Sequence, residues 1–168
     1  FAPMFKAIHL RIRRYVEALG LDADRFRFQF TRSWGTVSEK GQKIQRHRHN
    51  QSHISLAYYP LKGPNSGNII FHMPDPQNEF TAGLFEPHSQ DMGLIKTPNI
   101  LNSEIVTLPA EEDDIVLFPS KTYHATEPNQ TDGPRISIST DIVVTLRESD
   151  QVEFVMPDVS KWRSSDGF

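Results

Sequence analysis

The chain has 168 residues, a formal net charge of −3 and a pI near 6.2, which together fit one domain and exclude a strongly basic nucleic-acid-binding surface. It contains no Cys, so disulfides and thiolate chemistry are excluded, and any metal must bind imidazole or carboxylate. No apolar run is long enough to span a bilayer and no signal-peptide pattern opens the chain, so we expect a cytoplasmic protein without a membrane partner. The chain starts at Phe1 rather than Met, which is compatible with part of a longer protein.

The predicted elements are one helix followed by many short strands. Apolar residues recur at helical spacing from about 3 to 19, and Gly20 ends that helix. Alternating Phe26, Phe28 and Phe30 predict a strand that continues to Trp34. Further strands are expected near 53–60, 68–73, 104–108, 114–118, 122–127 and 135–145, with one more edge strand at 152–156. This order favours a barrel or sandwich with a helix on one face.

Two stretches do not fit regular elements. From 74 to 102 periodicity fades, and a segment that long in a compact domain is typical of a binding loop or lid. The acidic run 111–114 is expected to be a solvated turn. We expect a single domain over 1–168, with an N-terminal helix (1–20), a β core (25–145) and a C-terminal tail (146–168).

Three histidines border the predicted strands in a pattern typical of a metal site. His47 and His49 are two residues apart, so on a strand both point the same way. His124 follows another apolar run and completes a cap of three ligands, which leaves coordination positions open for substrate and dioxygen. An H-x-H pair alone is weak evidence, because seven histidines make one such pairing unsurprising.

A second pair strengthens this interpretation. Arg135 and Ser137 are again two apart on a predicted strand, and a guanidinium binds a carboxylate through two parallel hydrogen bonds to which a hydroxyl adds a third. The alternative for Arg135 is an ordinary salt bridge. The residues therefore predict a non-heme iron oxygenase that also binds a carboxylate.

The ordered motifs resemble the 2-oxoglutarate/Fe(II) dioxygenases, in particular a small oxygenase family of bacteria and phages. The resemblance runs from about 30 to 142 and is carried by these stretches: Ser33-Trp34, Gly41, the segment 47–59, the segment 65–71, the segment 114–120, His124 with 127–129, and the segment 135–139. It implies a double-stranded β-helix, or jelly roll, of the cupin-like type with the N-terminal helix packed on it.

The resemblance also implies roles for individual residues. His47 and His124 match the family's two histidine ligands, and His49 occupies the position where the wider superfamily has a carboxylate. Whether His49 binds metal or lies behind the ligands stays open. Arg135 and Ser137 match the pair that grips the distal carboxylate of 2-oxoglutarate, and Tyr59 matches a tyrosine at the same carboxylate, with a plain core aromatic as its alternative.

Three further residues are candidates for contacts around the site or with substrate. His53 lies close to the histidine pair, and His72 flanks the irregular segment. Asp141 shares strand parity with Arg135 and Ser137 and is expected to face the cavity or to make a hydrogen bond at the strand end. Ordinary structural roles remain the alternative for all three.

The function that the resemblance implies is hydroxylation of a C–H bond in a small molecule or an amino-acid or peptide substrate, with 2-oxoglutarate converted to succinate and CO2. The cofactors would be Fe(II) and 2-oxoglutarate. Two alternatives stay open: a three-His cupin-type dioxygenase that needs no 2-oxoglutarate, and a non-catalytic metal-binding module. The cupin alternative leaves Arg135 and Ser137 without a purpose. The sequence does not indicate the substrate or the oligomeric state.

Overall fold

The computed structural model describes residues 2–73, 76–149 and 152–165. An N-terminal helix, α1 (Ala2–Ala18), precedes a mostly β chain that contains one short helix, α2 (Pro87–Asp91), and single 3-10 turns at Ala23–Arg25 and Val159–Lys161. The strands are β1 (Phe26–Ser38), β2 (Ile54–Leu61), β3 (Ile69–His72), β4 (Ile105–Leu108), β5 (Ile115–Pro119), β6 (Tyr123–Thr126) and β7 (Arg135–Leu146). None of the helices in these ranges combines the length and apolar character needed to cross a bilayer.

The strands form two antiparallel sheets. The larger has the order β1-β7-β2-β5, and the smaller has the order β4-β3-β6. The segment before β2 extends the smaller sheet, because His47 forms an antiparallel bridge with His124 on β6. Strand order therefore places both partners of this bridge at the free edge of β6.

The larger sheet is covered on both faces, which explains why β2 is an almost unbroken apolar run. On the outer face, Ile8, Ile12 and Val16 of α1 pack with Ile54 and Ile142. Ile12 is completely buried, and burying a side chain of this size stabilises a fold by roughly 1.5–3 kcal/mol. On the inner face, a second cluster fills the space between the sheets and contains Ala57, Tyr59, Ile69, Val116 and Phe118.

The helix and the seven strands lie where the sequence predicts them, with ends that differ by a few residues. The edge strand expected at 152–156 is wrong. Phe154 is 91% exposed there, so the alternating apolar residues have no surface to cover. The backbone bonds of this segment do not form a ladder: the amide of Leu146 donates to the carbonyl of Met156 (2.9 Å), and the amide of Val152 donates locally to Ser149 (3.1 Å). In the irregular segment, residues 74 and 75 lie outside the described ranges, and α2 is a single short helix.

Candidate metal centre

His47, His49 and His124 meet between the two sheets at the edge of β6. One nitrogen from each ring lies within 4.8 Å of the others. His49 and His124 are buried, and His47 is half-buried. The bridge between His47 and His124 fixes these two side by side, and the two-residue spacing turns His49 to the same side as His47.

Hydrogen bonds set the orientation of all three rings. The Nδ1 atom of His47 contacts the carbonyl oxygen of Gln45 (2.8 Å), and Nδ1 of His124 contacts the carbonyl of Thr122 (3.0 Å). Because a carbonyl only accepts, these nitrogens carry the proton and leave Nε2 with a free lone pair. Nδ1 of His49 faces a carboxylate oxygen of Asp141 (2.5 Å), which has the same effect.

These orientations favour a bound cation. The Nε2 atoms of His47 and His49 lie 3.2 Å apart, and two lone pairs at that distance repel each other unless a positive charge lies between them. Two imidazole nitrogens bound at a right angle to one ion, at about 2.1 Å each, lie about 3 Å apart. The donor set and its spacing therefore fit a divalent metal that accepts nitrogen ligands.

The third imidazole is held neutral. Burial, together with the neighbouring His47 and His49, lowers the pKa of His124 to about 4, against the opposing effects of the bond to Thr122 and the charge of Asp141. A neutral imidazole is the form that binds a metal. His124 therefore offers its lone pair at neutral pH.

Asp141 lies directly behind His49 and is completely buried. Besides His49, its carboxylate accepts a hydrogen bond from Nε of Arg32 (2.5 Å) and from the hydroxyl of Ser52 (3.1 Å). Burial alone would raise the pKa of Asp141, but the hydrogen bonds from His49 and Arg32 bring the pKa below its usual value. The sequence predicts that Asp141 faces inward; the structure turns it toward a histidine ring.

A cavity of about 80 Å³ runs from the three histidines to the start of β7. It holds several times the volume that one water molecule requires. Its lining includes Arg135, Ser137 and Ser139, so it follows β7 over four residues, or about 13 Å. Tyr59 also lines it, and burial raises the pKa of its phenol to about 12, which keeps the hydroxyl protonated. The structure thus brings the three histidines and Arg135, Ser137 and Tyr59 to one cavity.

Arg135 is a buried cation at the far end of this cavity, 2% exposed. Its Nη1 donates to the carbonyls of Ser66 (2.7 Å), Gly67 and Glu127 (both 3.2 Å), which fixes the plane of the guanidinium. Its Nη2 has only hydroxyl partners, Thr126 at 2.9 Å and Ser38 at 3.3 Å. A hydroxyl can turn and donate to an incoming anion, whereas a carbonyl cannot. Nη2 is thus the atom best placed to receive a carboxylate.

Two of the predicted residues lie elsewhere. His53 faces α1: its Nδ1 accepts a hydrogen bond from the amide of Val144 (3.0 Å), and its ring lines a separate groove beside Tyr15 and Leu19. His72 pairs with Tyr123 across the smaller sheet, one position from His124, so its side chain points away from the cavity. Burial and the nearby charge of Arg46 lower the pKa of His72.

Some of the polar residues around the site were not identified from the sequence. Ser55 and Ser120 are fully buried, and their hydroxyls bond to each other (2.9 Å) and support Asp141 through Ser52. Thr126 and Ser38 hold Arg135. Ser55 could have been recognised from the sequence. It is a polar residue inside the apolar run of β2, and it lies on the same face of the strand as Tyr59.

The fold and the site together define a protein of two antiparallel β-sheets in which three histidines converge as a candidate metal site. A protein family described as "Putative 2OG-Fe(II) oxygenase" matches residues 32–141, well over half of the chain. The chain therefore belongs to this family, whose members depend on Fe(II) and 2-oxoglutarate and are oxidoreductases of the dioxygenase type. No curated protein matches the chain significantly.

The chain is similar to several solved structures, of which the first supports the fold. An oxidoreductase of the 2OG-Fe(II) oxygenase family from Burkholderia pseudomallei has a TM-score of 0.53 at 10% identity, over 78% of this chain and 50% of that one. The α-ketoglutarate-dependent epimerase SnoN of nogalamycin biosynthesis has a TM-score of 0.48 at 17% identity (74% and 54% covered). Iron-bound HygX from Streptomyces hygroscopicus has a TM-score of 0.47 at 14% identity (84% and 67% covered). The chain spans about half the length of the first two proteins.

Proposed function

We propose that this protein is a hydroxylase that holds Fe(II) through His47, His49 and His124 and binds 2-oxoglutarate in the adjoining cavity. The observation that carries the proposal is the arrangement of a single cavity, with three free imidazole lone pairs at one end and a buried guanidinium at the other. A dicarboxylate fits such a cavity, because one end can reach the metal while the other meets Arg135.

We also propose that the fold is a double-stranded β-helix and that residues 1–168 form one domain. The larger sheet has four strands. The smaller sheet also reaches four when the bridge at His47 is counted beside β6, β3 and β4. Eight strands in two sheets are what a jelly roll requires.

Each residue has a defined part in this proposal. Arg135 binds the distal carboxylate of 2-oxoglutarate through Nη2, and Ser137 and Tyr59 donate from the neighbouring walls. The fixed plane of the guanidinium sets the position of the cosubstrate without a further loss of side-chain freedom. When bound, the iron would allow dioxygen to react with 2-oxoglutarate and substrate, so that one oxygen atom enters the succinate formed with CO2 and the other enters a substrate C–H bond.

The substrate is proposed to be a small molecule, or an amino acid or peptide, that enters near the histidines. Trp34 lines the cavity beside His49, with ring centroids 5.5 Å apart, and the guanidinium of Arg32 lies 4.8 Å from the centroid of the Trp34 ring. Arg32 is half-exposed, so this end of the cavity opens toward solvent. The irregular segment 76–102 remains a candidate wall of the substrate site.

One observation favours a different function. Both terminal nitrogens of Arg135 already donate to protein atoms, and the metal ligands include no carboxylate. A three-His cupin-type dioxygenase that needs no 2-oxoglutarate would have the same ligands and would use Arg135 only to tie the strands together. A non-catalytic metal-binding module is the third alternative.

The test is to add Fe(II) and then 2-oxoglutarate to the purified protein without oxygen and to monitor the visible absorption spectrum. A weak charge-transfer band that appears only with both components supports the proposal. Bound iron without a band favours the cupin alternative, and the absence of iron binding favours a module without catalysis. His124→Ala should abolish iron retention, whereas His88→Ala, at an exposed position, should leave it unchanged.

His49→Ala addresses the remaining ligand. It should lower iron loading and turnover, since it removes one of the three converging nitrogens. Normal loading and turnover would mean that two histidines suffice and that His49 only lies near the metal.

A further inference from the structure

The three histidines differ in the group that accepts the hydrogen bond from Nδ1. The Nδ1 atoms of His47 and His124 bond to backbone carbonyls, whereas Nδ1 of His49 bonds to the carboxylate of Asp141. The three converging residues are all histidines, whereas a facial triad has two histidines and one carboxylate. The carboxylate of Asp141 lies directly behind His49 instead.

We propose that Asp141 supplies, through the ring of His49, the negative charge that a carboxylate ligand would bring directly, so that His49 and Asp141 act as one anionic ligand. This inference rests on the proposed metal site and assigns Asp141 as a positioning residue. A carboxylate hydrogen-bonded to a ligating histidine fixes the ring and makes it a stronger donor.

The charge of the site gives the physical reason. Three neutral imidazoles leave the whole double charge of the metal uncompensated in a buried cavity, where charges are poorly screened. Asp141 is completely buried and separated from the metal position by one imidazole ring. It therefore offsets this charge without occupying a coordination position.

The carboxylate is held in place by a dedicated set of contacts. Ser52 donates to the same oxygen that His49 contacts, and Ser120 supports Ser52 (2.9 Å). The other oxygen accepts from Nε of Arg32. Because Arg32 is half-exposed, water screens its charge, so Arg32 orients Asp141 without fully neutralising it.

The chain offers a matched control in a second pair. Asp158 is also buried and forms an ion pair with Nε of Arg27 (2.6 Å), with no contact to the three histidines among its hydrogen bonds in the described ranges. Asp141→Asn and Asp158→Asn therefore remove comparable buried carboxylates, and only the first lies behind a metal ligand.

The first measurement is the affinity of each variant for Co(II), by anaerobic calorimetry on the whole chain without 2-oxoglutarate. We expect Asp141→Asn to bind Co(II) 10–100-fold more weakly, the range seen when such partners are removed, and Asp158→Asn to bind like the unaltered protein. Equal affinity in Asp141→Asn and the unaltered protein overturns the proposal, and so does an equal loss in both variants.

A second pair of variants, Arg32→Gln and Arg27→Gln, tests the proposal even if Asp141→Asn does not fold. The Nε2 of a glutamine stands where Nε of an arginine stands, so Arg32→Gln keeps the hydrogen bond to Asp141 while it removes the positive charge and the contact with Trp34. The proposal predicts several-fold tighter Co(II) binding, since the carboxylate then acts on His49 without its counter-charge. Arg27→Gln should leave the affinity unchanged.

Weaker or unchanged binding in Arg32→Gln would assign Asp141 a purely structural role and overturn the proposal. These experiments use a metal and no cosubstrate. A failure to bind 2-oxoglutarate would therefore count against the proposed hydroxylase alone, and unaltered metal affinity would count against the role of Asp141 alone.

Discussion

The guanidinium of Arg135 lies against the backbone of Gly67 with no space for a side chain between them. A Cβ atom at Gly67 would stand 2.6 Å from Nη1 of Arg135 and 2.5 Å from the carbonyl oxygen of Glu127. Gly67 also has a φ of 90°, a conformation that L residues rarely adopt. The glycine is therefore part of the structure that positions Arg135.

Gly67→Ala tests this relationship. The added methyl group must displace Arg135 or the backbone at Glu127, so we expect 2-oxoglutarate to bind at least about 10-fold more weakly, while Fe(II) binding is unchanged. Calorimetry with each ligand measures both. Gly63→Ala is the matched control in the same connection, because a Cβ there meets nothing within 4 Å. Native affinity for 2-oxoglutarate in Gly67→Ala would show that Arg135 does not bind it.

Arg135→Lys tests the guanidinium itself. Lysine keeps the positive charge but cannot donate to the three carbonyls and to a carboxylate with one planar group. Losing hydrogen bonds to a charged partner costs about 1.5–3 kcal/mol, which corresponds to roughly 10–100-fold weaker 2-oxoglutarate binding. Iron content after anaerobic reconstitution should stay normal. A variant that loses iron as well would indicate that Arg135 supports the fold of the whole site.

Tyr59→Phe removes one hydroxyl from the cavity wall. Because the phenol of Tyr59 has a pKa of about 12, it stays protonated and can donate to a carboxylate at every ordinary pH. We expect about 5-fold weaker 2-oxoglutarate binding, the effect of one hydrogen bond of about 1 kcal/mol. The neighbouring Tyr58→Phe is the control, since its hydroxyl donates to Asp113 at an exposed position (2.8 Å). Equal effects in both variants would remove Tyr59 from the site.

The sequence predicts the helix and the seven strands with good accuracy, because local periodicity determines them. Strand parity places His47 beside His49, and Arg135 beside Ser137, on one side of their segments. Strand alternation does not identify which residue lies opposite on the neighbouring strand. The bridge between His47 and His124 joins residues 77 positions apart, and only the complete sheet brings them together.

Because the sequence does not show which segments become neighbours in the fold, it assigns the roles of His53 and Asp141 less well. His53 is near the pair in sequence, but it lies just before β2 and its ring lines a groove beside Tyr15 and Leu19. Asp141 is far away in sequence, yet β7 lies next to β2 and places it behind His49. The failed strand at 152–156 has alternating apolar residues but no neighbour to pair with across a full strand.

The pH dependence of stability follows from His124. In the folded, metal-free protein its pKa is about 4, whereas an unfolded histidine has a pKa of 6.5. Between these values the unfolded chain binds a proton that the folded chain does not, so the free energy of unfolding decreases as pH falls from about 6.5 to about 4. Above pH 6.5 this contribution is complete and constant.

His124→Asn should therefore flatten the pH profile of metal-free protein across this window, measured as the denaturant midpoint in the presence of a chelator. His88→Asn, at an exposed position, should leave the profile unchanged. Carboxylates also titrate in this range, so the informative quantity is the difference between the variant and the unaltered protein at each pH. Identical slopes in His124→Asn and the unaltered protein would mean that folding does not lower the pKa of His124. Protons would then compete with a metal for its lone pair up to a pH of about 6.5.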